Sequence, residues 1–470
     1  MSLDPKDFAS SFKGFMETMS SQRVDEDPHF LRKLRKHFQQ DPTTFSVVSE
    51  EFPRYDHSNV FLAIEEFTAQ PGRSAAILGF LSDLRGFHSP TLSELVSSGS
   101  SGLYGRSAPE EGPVQYVNVF LDGDRSLACV QLGLYLISDP DQPLAVLLRP
   151  GDYSSLRDNV FVEVMAADRA AAEAFLASLR ASIRKMNVYR NHVLSIQKAD
   201  SYRGGLEIKF HSLPQVKQED IILPDGLLAR IHRHTIRFGE CSQALLAAKR
   251  HLKRGLLLYG APGTGKTLTA MYLATAMPDR TILLLTGRSL DLIQQSCNLA
   301  RGLQPAMIVL EDVDLVAEER TRHQGCATPV LFELLNEMDG LSEDVDVIFL
   351  LTTNRADLLE PALAARPGRV DQAFEIPLPD AACRRRLFAL YSKGLTMKIE
   401  SVDPFIERTE RASAAFMCEM LRKAALFAAE DGLPIVVKDK HVDEALRELI
   451  VSGGAITRSL LGFADEQKCE

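Results

Sequence analysis

The chain has 470 residues, of which 45% are hydrophobic and 25% charged, and its formal net charge is -10 at pH 7. This length predicts two or more globular domains, and the acidic balance disfavours a protein that mainly coats nucleic acid, because such binding needs clustered Lys and Arg. No segment has the run of apolar residues that a membrane helix needs, and the first residues lack a signal-peptide pattern, so we expect a cytoplasmic protein without a membrane partner. Seven scattered cysteines without a C-x-x-C pair predict neither a disulfide scaffold nor a zinc site.

Residues 1–88 are expected to form a helical N-terminal module, since helical periodicity recurs in segments such as 30–39 and 75–84. A basic run at residues 32–37 lies in the first of these segments. It is typical of the solvated face of an amphipathic helix, with nucleic-acid binding as the alternative. Residues 89–113, rich in Ser, Gly and Pro, are expected to form a flexible linker.

Residues 114–211 are expected to form a small α+β module. Runs rich in β-branched and aromatic residues, separated by Asp-Gly, Asp-Pro and Pro-Gly turns, predict a sheet over 114–165. A strongly helical composition at 170–186 and a further strand at 192–197 complete it. Neither N-terminal module carries a catalytic pattern, so we interpret the second one as a region that recognises a substrate or partner or helps subunits to pack, two roles between which the sequence does not decide.

Residues 260–267 read Gly-Ala-Pro-Gly-Thr-Gly-Lys-Thr, the complete pattern G-x-x-x-x-G-K-T. An apolar run precedes it and a helical pattern follows, which is the context in which this pattern binds a nucleoside triphosphate. The glycines let backbone N–H groups approach the phosphates at the positive end of a helix, while Lys266 would reach the β and γ phosphates and the Thr267 hydroxyl would hold Mg²⁺. The predicted nucleotide-binding residues are Gly260, Pro262, Gly263, Thr264, Gly265, Lys266, Thr267 and Leu268.

Two acidic residues, Glu311 and Asp312, end the apolar run at 307–310. Phosphoryl transfer needs one carboxylate to position Mg²⁺ and another to orient the attacking water, so both acids are catalytic candidates and, with the Thr267 hydroxyl, candidate metal ligands. The next apolar run leads through two threonines to Asn354, whose side chain would hold that water or sense the γ-phosphate.

A third candidate element is the turn Arg366-Pro367-Gly368-Arg369. Arginines supplied to a neighbouring active site stabilise the charge on the transferred phosphoryl group. Arg366 and Arg369 are therefore candidates for catalysis between two subunits.

Short apolar runs alternate with helical segments from residue 224 onward, which predicts a parallel sheet covered by helices on both faces. Together with the phosphate-binding loop (P-loop, residues 260–267), this indicates an α/β domain of the P-loop NTPase class over 212–380. A helical pattern predicts a C-terminal helical lid over 381–455, and residues 456–470 are expected to form a tail.

The region from about 221 to 449, roughly half of the chain, resembles an AAA+ ATPase of the AAA subgroup. The resemblance rests on the P-loop, the acidic strand end, the threonines before Asn354, and the segments 332–340 and 361–371. It implies ATP and Mg²⁺ as cofactors, adenine contacts near Ile222 and Leu223, and a turn beside the nucleotide at Ala414. It also implies Lys266 and Thr267 as the Walker A pair, Glu311 and Asp312 as the Walker B pair, Asn354 as sensor 1, and Arg366 and Arg369 as arginine fingers.

Three departures from the family pattern bear on mechanism. The Walker B order is Glu-Asp, as in the mitochondrial AAA translocase of the Rieske protein, whereas Asp-Glu is usual, so either acid could be the base. The spacing before the arginines is one residue longer than usual, which leaves open whether Arg366 or Arg369 is the main finger, with Arg369 favoured. Residues 287–296 lack an aromatic pore motif, which leaves the threading of a polypeptide through the pore open.

The leading interpretation is an ATP-hydrolysing AAA+ ring ATPase, expected to be a homo-oligomer and specifically a hexamer, that remodels or disassembles a protein client or complex. One alternative is an ATP-dependent regulatory switch or scaffold with little turnover, which the inverted acids and the missing pore aromatic would suit. The other is a nucleic-acid-stimulated motor. It depends only on the basic run at 32–37, and nucleic acid is not the expected partner.

Overall fold

The computed structural model describes residues 10–15, 27–81, 89–97, 109–123, 125–151, 159–199, 205–286, 291–314, 329–340, 345–357 and 370–452. The chain divides into two compact units: unit 1 comprises residues 1–186 and 199–206, and unit 2 comprises residues 187–198 and 207–470. Across the described ranges, no helix combines the length and the apolar composition needed to cross a bilayer.

Unit 1 is built on an antiparallel sheet. Its strands are β1 (Ser46–Pro53), β2 (Ser74–Phe80), β3 (Glu111–Gly112), β4 (Gln115–Phe120), β5 (Ser126–Ser138), β6 (Leu144–Pro150) and β7 (Asn159–Ala166). They follow the order β1-β7-β6-β5-β2-β3, and β4 pairs with the first half of β5.

Helices pack on both faces of this sheet. They are α1 (His29–Phe38), α2 (His57–Thr68), α3 (Leu92–Val96) and α4 (Arg169–Lys185). Because successive side chains of a strand point to opposite faces, Leu147 of β6 packs in a core with α1 and α3, while its neighbour Leu148 packs in a core with α2 and α4. Unit 1 therefore has three layers with an apolar core on each side of the sheet.

The structure differs from the helical module expected over 1–88 and from the linker expected over 89–113. β1 pairs with β7, and β2 occupies most of the segment 75–84 that was expected to be helical and pairs with β5. The linker segment contains β3 and α3, and α3 begins with a reciprocal capping box between Thr91 and Glu94. These strands are stabilised by partners far away in the sequence, which local periodicity does not report. The strands predicted over 114–165 and the helix predicted at 170–186 are present.

Unit 2 contains a second seven-stranded sheet. Its strands are β8 (Val193–Lys198), β9 (Leu206–His211), β10 (Arg254–Tyr259), β11 (Thr281–Leu285), β12 (Ala306–Leu310), β13 (Val347–Thr353) and β14 (Gln372–Glu375). Their order is β14-β10-β13-β12-β11-β8-β9, and the pairs from β14 to β8 are parallel. This confirms the predicted α/β class with a parallel sheet. It also places β13 between the strand that precedes the P-loop and the strand that precedes the two acids.

The boundary expected at residue 211 is wrong. The strand predicted at 192–197 is present as β8, but Val193 and Leu194 pair with Ile282 and Leu283 of β11. The segment therefore extends the sheet of unit 2 and does not complete the sheet of unit 1. Its composition predicts a strand but carries no signal for which sheet it joins.

In the described part of this region, six helices accompany the sheet: α5 (Leu227–His234), α6 (Ile236–Glu240), α7 (Ser242–Ala247), α8 (Lys266–Thr275), α9 (Ile293–Gly302) and α10 (Pro329–Asp339). One core joins alternate residues of β10, such as Leu256 and Leu258, to Ile231 of α5 and Leu273 of α8. This packing fixes α8 against the strand from which the P-loop leaves.

The C-terminal part of unit 2 has its own core. Its helices are α11 (Ala381–Tyr391), α12 (Asp403–Arg408), α13 (Ala414–Glu430) and α14 (Asp439–Arg447). Buried residues such as Phe405, Met420 and Leu446 join them. The region expected to be helical only also contains two short parallel strands, β15 (Thr396–Lys398) and β16 (Val436–Lys438).

Candidate nucleotide-binding site

The P-loop connects β10 to α8 and depends on glycine conformations. Gly260, Gly263 and Gly265 have φ values of 145°, 73° and 102°, a region that other L-residues rarely adopt. A Cβ atom on Gly260 would lie 2.2 Å from the carbonyl oxygen of Ile376. The backbone of Ile376, directly after β14, therefore leaves no room for a side chain at the start of the loop.

The first residue of α8, Lys266, is 5% exposed and lies against the loop that precedes it. Its Nζ donates hydrogen bonds to the carbonyl oxygens of Gly260 at 2.9 Å and Ala261 at 2.8 Å. Burial lowers the pKa of Lys266, and the nearby charges of Asp312 and Asp314 oppose that shift. The ammonium group is thus placed at the helix N-terminus, where a phosphate chain would also be attracted.

The remaining predicted P-loop residues differ in exposure. Thr264 is buried, and its hydroxyl donates to the carbonyl oxygen of Ala261 at 2.9 Å. Pro262, Thr267 and Leu268 are exposed. Thr267 is therefore reachable from solvent.

Glu311 and Asp312 follow β12, and each contacts a different partner. Glu311 lies beside the Thr267 side chain, which favours the ionised carboxylate, while the Asp312 Oδ1 accepts a hydrogen bond from Asn354 Nδ2 at 3.3 Å. Burial is the main cause that raises the pKa of Glu311, followed by the charge of Asp312. The pKa of Asp312 is likewise raised, first by burial and then by the charge of Asp314.

The backbone at Asp312 turns sharply. Its φ is 48°, in the left-handed region that Asp tolerates better than most residues, and its N–H donates to Thr352 Oγ1 at 3.1 Å. Asp312 thus bonds to the end of β13 through both its backbone and its side chain, whereas Glu311 lies beside Thr267 of α8.

Asp314 was not among the predicted site residues. It is 5% exposed, and its Oδ1 accepts hydrogen bonds from Thr353 Oγ1 at 2.8 Å and from the backbone N–H of Asn354 at 3.2 Å. The available sequence signal is the third acid in Glu311-Asp312-Val313-Asp314, but the spacing alone does not show that its side chain is buried beside β13.

The start of α13 contacts the P-loop. The N–H of Ala415 donates to the carbonyl oxygen of Gly263 at 3.0 Å, and the Ser413 side chain caps the helix by accepting from Phe416 N–H at 3.1 Å. Ala414, predicted to lie beside the nucleotide, is the first residue of this helix. The structure therefore brings the turn around Ala414 to the P-loop.

The two residues expected near adenine are placed differently from each other. Ile222 is partly buried and packs against the core of the C-terminal helices, whereas Leu223 is 6% exposed in the core of the sheet. A nucleotide contact at Leu223 would come from its backbone, because its side chain is enclosed. Arg366 and Arg369 lie outside the described residues.

The donors near the P-loop fit Mg²⁺ better than a transition metal. No group of three or more His, Cys, Asp and Glu residues with the arrangement of a metal site occurs in the described part of the chain. Thr267, Glu311 and Asp312 offer only oxygen atoms, and Mg²⁺ is usually held by one or two carboxylates, waters and the phosphates of a nucleotide. The residues present therefore fit Mg²⁺ that arrives with the nucleotide.

A parallel sheet, a glycine loop at the start of a helix and carboxylates at the ends of neighbouring strands define a P-loop NTPase. Residues 256–378 match the family described as "ATPase family associated with various cellular activities (AAA)". The chain therefore contains an AAA ATPase domain, which confirms the resemblance.

Three curated relatives are similar to this part of the chain. One is the human "ATPase family gene 2 protein homolog A", 34% identical over 206 residues, which are 41% of this chain and 23% of the relative. The others are the "26S proteasome regulatory subunit 6B homolog" of Dictyostelium discoideum, 34% identical over 37% of this chain and 46% of the relative, and the "26S proteasome regulatory subunit 4 homolog" of Oryza sativa subsp. japonica, 33% identical over 38% and 42%. The chain thus spans less than half the length of each relative.

Proposed function

We propose that this protein is an ATP-hydrolysing AAA+ ring ATPase that remodels or disassembles a protein or complex. The observation that carries the proposal is the arrangement of the two acids: Asp312 Oδ1 accepts a hydrogen bond from Asn354 at the end of β13, and Glu311 lies beside Thr267 of α8. Phosphoryl transfer needs one acid at the metal and another at the attacking water. Thr267 lies beside the acid that would hold the metal, and Asn354 lies beside the acid that would act on the water.

The contacts suggest how the work is divided. Glu311, beside the Thr267 hydroxyl, would hold Mg²⁺ with it, and the ion would neutralise charge on the β and γ phosphate oxygens. Asp312, beside Asn354, would accept the proton of the attacking water while the Asn354 amide orients that water. The raised pKa of Asp312 suits a group that has to take up a proton. Lys266 would exchange the loop carbonyls for phosphate oxygens when the nucleotide binds.

The ring assembly and the arginine fingers belong to the same proposal. Two of the relatives are named as regulatory subunits of the 26S proteasome, which is a multisubunit assembly. We propose that this chain likewise assembles with copies of itself, as a hexamer in the cytoplasm, and that Arg366 or Arg369 of one subunit reaches the nucleotide of the next. The client would be a protein and is unidentified.

Phosphate release measured over a range of protein concentrations tests this function. The specific activity of the wild type should rise with concentration as rings form. Lys266→Ala should abolish turnover, and Arg369→Ala should abolish it while a fluorescent ATP analogue still binds. Asp312→Asn should also bind the analogue but lower kcat about 100-fold or more. Arg366→Ala, measured in parallel, identifies the main finger. Turnover that is independent of concentration, with both arginine variants fully active, would exclude the ring mechanism.

A regulatory switch or scaffold that binds ATP with little turnover is the second candidate. It is favoured by Asp312, whose side chain is one methylene shorter than the Glu usual at that position. Phosphate release that is indistinguishable between the wild type and Lys266→Ala would support this candidate.

The contacts of α1 weaken the case for a nucleic-acid motor. Lys33 lies 3.2 Å from Glu111, and Arg35 forms ion pairs with Asp27 and Asp41. Cations that already have carboxylate partners release fewer counterions when they meet a phosphate backbone. We therefore favour the solvated-helix interpretation of the basic run.

A further inference from the structure

Asp314 lies beside the proposed catalytic residues Asp312 and Asn354, and it contacts Asn354 through the backbone N–H of that residue. The residue is 5% exposed, and one oxygen, Oδ1, accepts both Thr353 Oγ1 at 2.8 Å and the N–H of Asn354 at 3.2 Å. The Thr353 hydroxyl, itself fully buried, also accepts the N–H of Arg355 at 3.0 Å. Three successive residues are thus connected to a single buried carboxylate.

These bonds begin where the strand ladder stops. The last pair between β12 and β13 joins Leu310 to Leu351, so the backbone of residues 352–354 has no ladder partner on the β12 side. Two side-chain bridges replace it: Asp312 N–H donates to Thr352 Oγ1 at 3.1 Å, and Asp314 accepts from the next two residues. Thr352 and Thr353 still pair with Leu258 and Tyr259 of β10, but on the β12 side the position of Asn354 relative to Asp312 depends on these side chains.

We propose that Asp314 is a positioning residue, which fixes the backbone from which the Asn354 amide reaches Asp312. This inference rests on the proposed function, in which these two side chains act on the attacking water. The contact it supports is sensitive to displacement, because 3.3 Å between Asn354 Nδ2 and Asp312 Oδ1 is already near the long end for an N–H···O bond. A misplacement of about 1 Å can cost about 100-fold in rate.

The geometry distinguishes a hydrogen-bonding role for Asp314 from a role of its charge. Because only Oδ1 accepts the two bonds, the amide oxygen of Asn at this position can accept both of them, whereas Ala accepts neither. Asp314→Asn should therefore keep kcat for ATP hydrolysis within about 3-fold of wild type. Asp314→Ala should lower kcat about 10- to 100-fold, by the same misplacement argument, with KM for ATP nearly unchanged.

Thr353 offers a second matched pair that does not alter a charge. Thr353→Ser keeps the hydroxyl and should retain kcat, whereas Thr353→Val removes it and should lower kcat in the same direction as Asp314→Ala. Asp346→Ala is the control for lost stability, because Asp346 accepts a hydrogen bond from Arg280 at 2.7 Å just before β13 begins, at the opposite end of that strand from Asn354. It should lower the melting temperature and leave kcat unchanged.

A double-mutant cycle tests whether Asp314 acts through Asn354. In the Asn354→Ala background, Asp314→Ala should lower kcat by less than about 2-fold, since residues that act as a unit are not additive. Equal losses in Asp314→Asn and Asp314→Ala, a full additional loss in the Asn354→Ala background, or a change confined to KM would each overturn the proposal. If Asp314→Ala does not fold, the Asp314→Asn and Thr353 variants still decide it.

The same assay separates this proposal from the proposed function. Wild-type turnover that does not depend on Lys266 overturns both. Wild-type turnover that does depend on Lys266, together with an Asp314→Ala variant as active as wild type, overturns only the positioning role.

Discussion

Gly263→Ala should weaken the contact between the P-loop and the start of α13. The φ of Gly263 is 73°, and an added Cβ would lie 2.8 Å from Ser413 Oγ and 2.9 Å from the Cβ of Ala415. A left-handed non-glycine residue costs about 1–2 kcal/mol, the crowding about 1–3 kcal/mol, and loss of the bond from Ala415 N–H about 1 kcal/mol. Gly265→Ala is the matched control, since its φ of 102° carries a similar backbone cost, but no described atom beyond its chain neighbours lies within 4 Å of the added Cβ.

Amide hydrogen exchange without nucleotide measures this difference. Crowding and the lost hydrogen bond, two costs that Gly265→Ala does not have, together amount to at least about 2 kcal/mol. The Ala415 amide of Gly263→Ala should therefore exchange about 30-fold faster than in the wild type. In Gly265→Ala the same amide should keep nearly the wild-type rate. Equal acceleration in both variants, or none in Gly263→Ala, would refute the argument that α13 is held by direct contact with this loop.

Three further outcomes are expected. Glu311→Gln should raise the Mg²⁺ concentration that gives half-maximal phosphate release, whereas Asp312→Asn should lower kcat about 100-fold or more without that shift; the opposite pattern would exchange the two roles. In unit 1, Arg149 Nε lies 2.7 Å from Glu163 Oε1, and both residues are buried. Glu163→Ala leaves the arginine charge unpaired and should lower the free energy of unfolding, measured by urea titration, by about 3–5 kcal/mol. A loss below about 1 kcal/mol would contradict a buried ion pair. Burial raises the pKa of Asp56 to about 6, so its contribution to stability is present below pH 4 and is lost as the pH rises through 6. The urea midpoint of Asp56→Asn should therefore increasingly exceed that of the wild type over that interval. A constant difference would contradict the raised pKa.

The AAA domain could be predicted because its signals are local. The P-loop is a continuous stretch of eight residues, and its glycines report backbone angles directly. Glu311, Asp312 and Asn354 each end an apolar strand, and the carboxyl ends of parallel strands meet at one edge of a sheet. A parallel sheet therefore brings these residues to one edge, as the sequence pattern predicts.

Other parts of the site depend on contacts that the sequence does not encode locally. Asp314 belongs to the same acidic run as the two predicted acids. Only the pairing of β12 with β13 in the structure shows that its carboxylate accepts hydrogen bonds from Thr353 and Asn354. The contact between Ala415 and Gly263 joins residues about 150 positions apart in the chain. Neither contact has a periodic pattern or a fixed spacing from which it could be predicted.

The organisation of unit 1 was the least predictable from sequence. β2 begins Ser-Ala-Ala-Ile-Leu, a run without strict alternation that is compatible with a helix, and it becomes a strand because β5 supplies its hydrogen-bond partner. The segment 89–113, rich in Ser and Gly, likewise has the composition of a linker. Its helix α3 nevertheless buries Leu92 and Leu95 in the core. Tertiary context overrides local preference at these positions.

The place of β8 in the sheet of unit 2 matters for how the protein is divided for expression. A fragment that begins at residue 212, the start suggested by composition, would discard β8 and expose the outer edge of β11, whose residues Thr281–Leu285 are mostly buried. An open edge of this kind recruits strands from other molecules, so such a fragment should aggregate. A fragment that begins at residue 187 retains the native neighbour of β11 and should stay in solution.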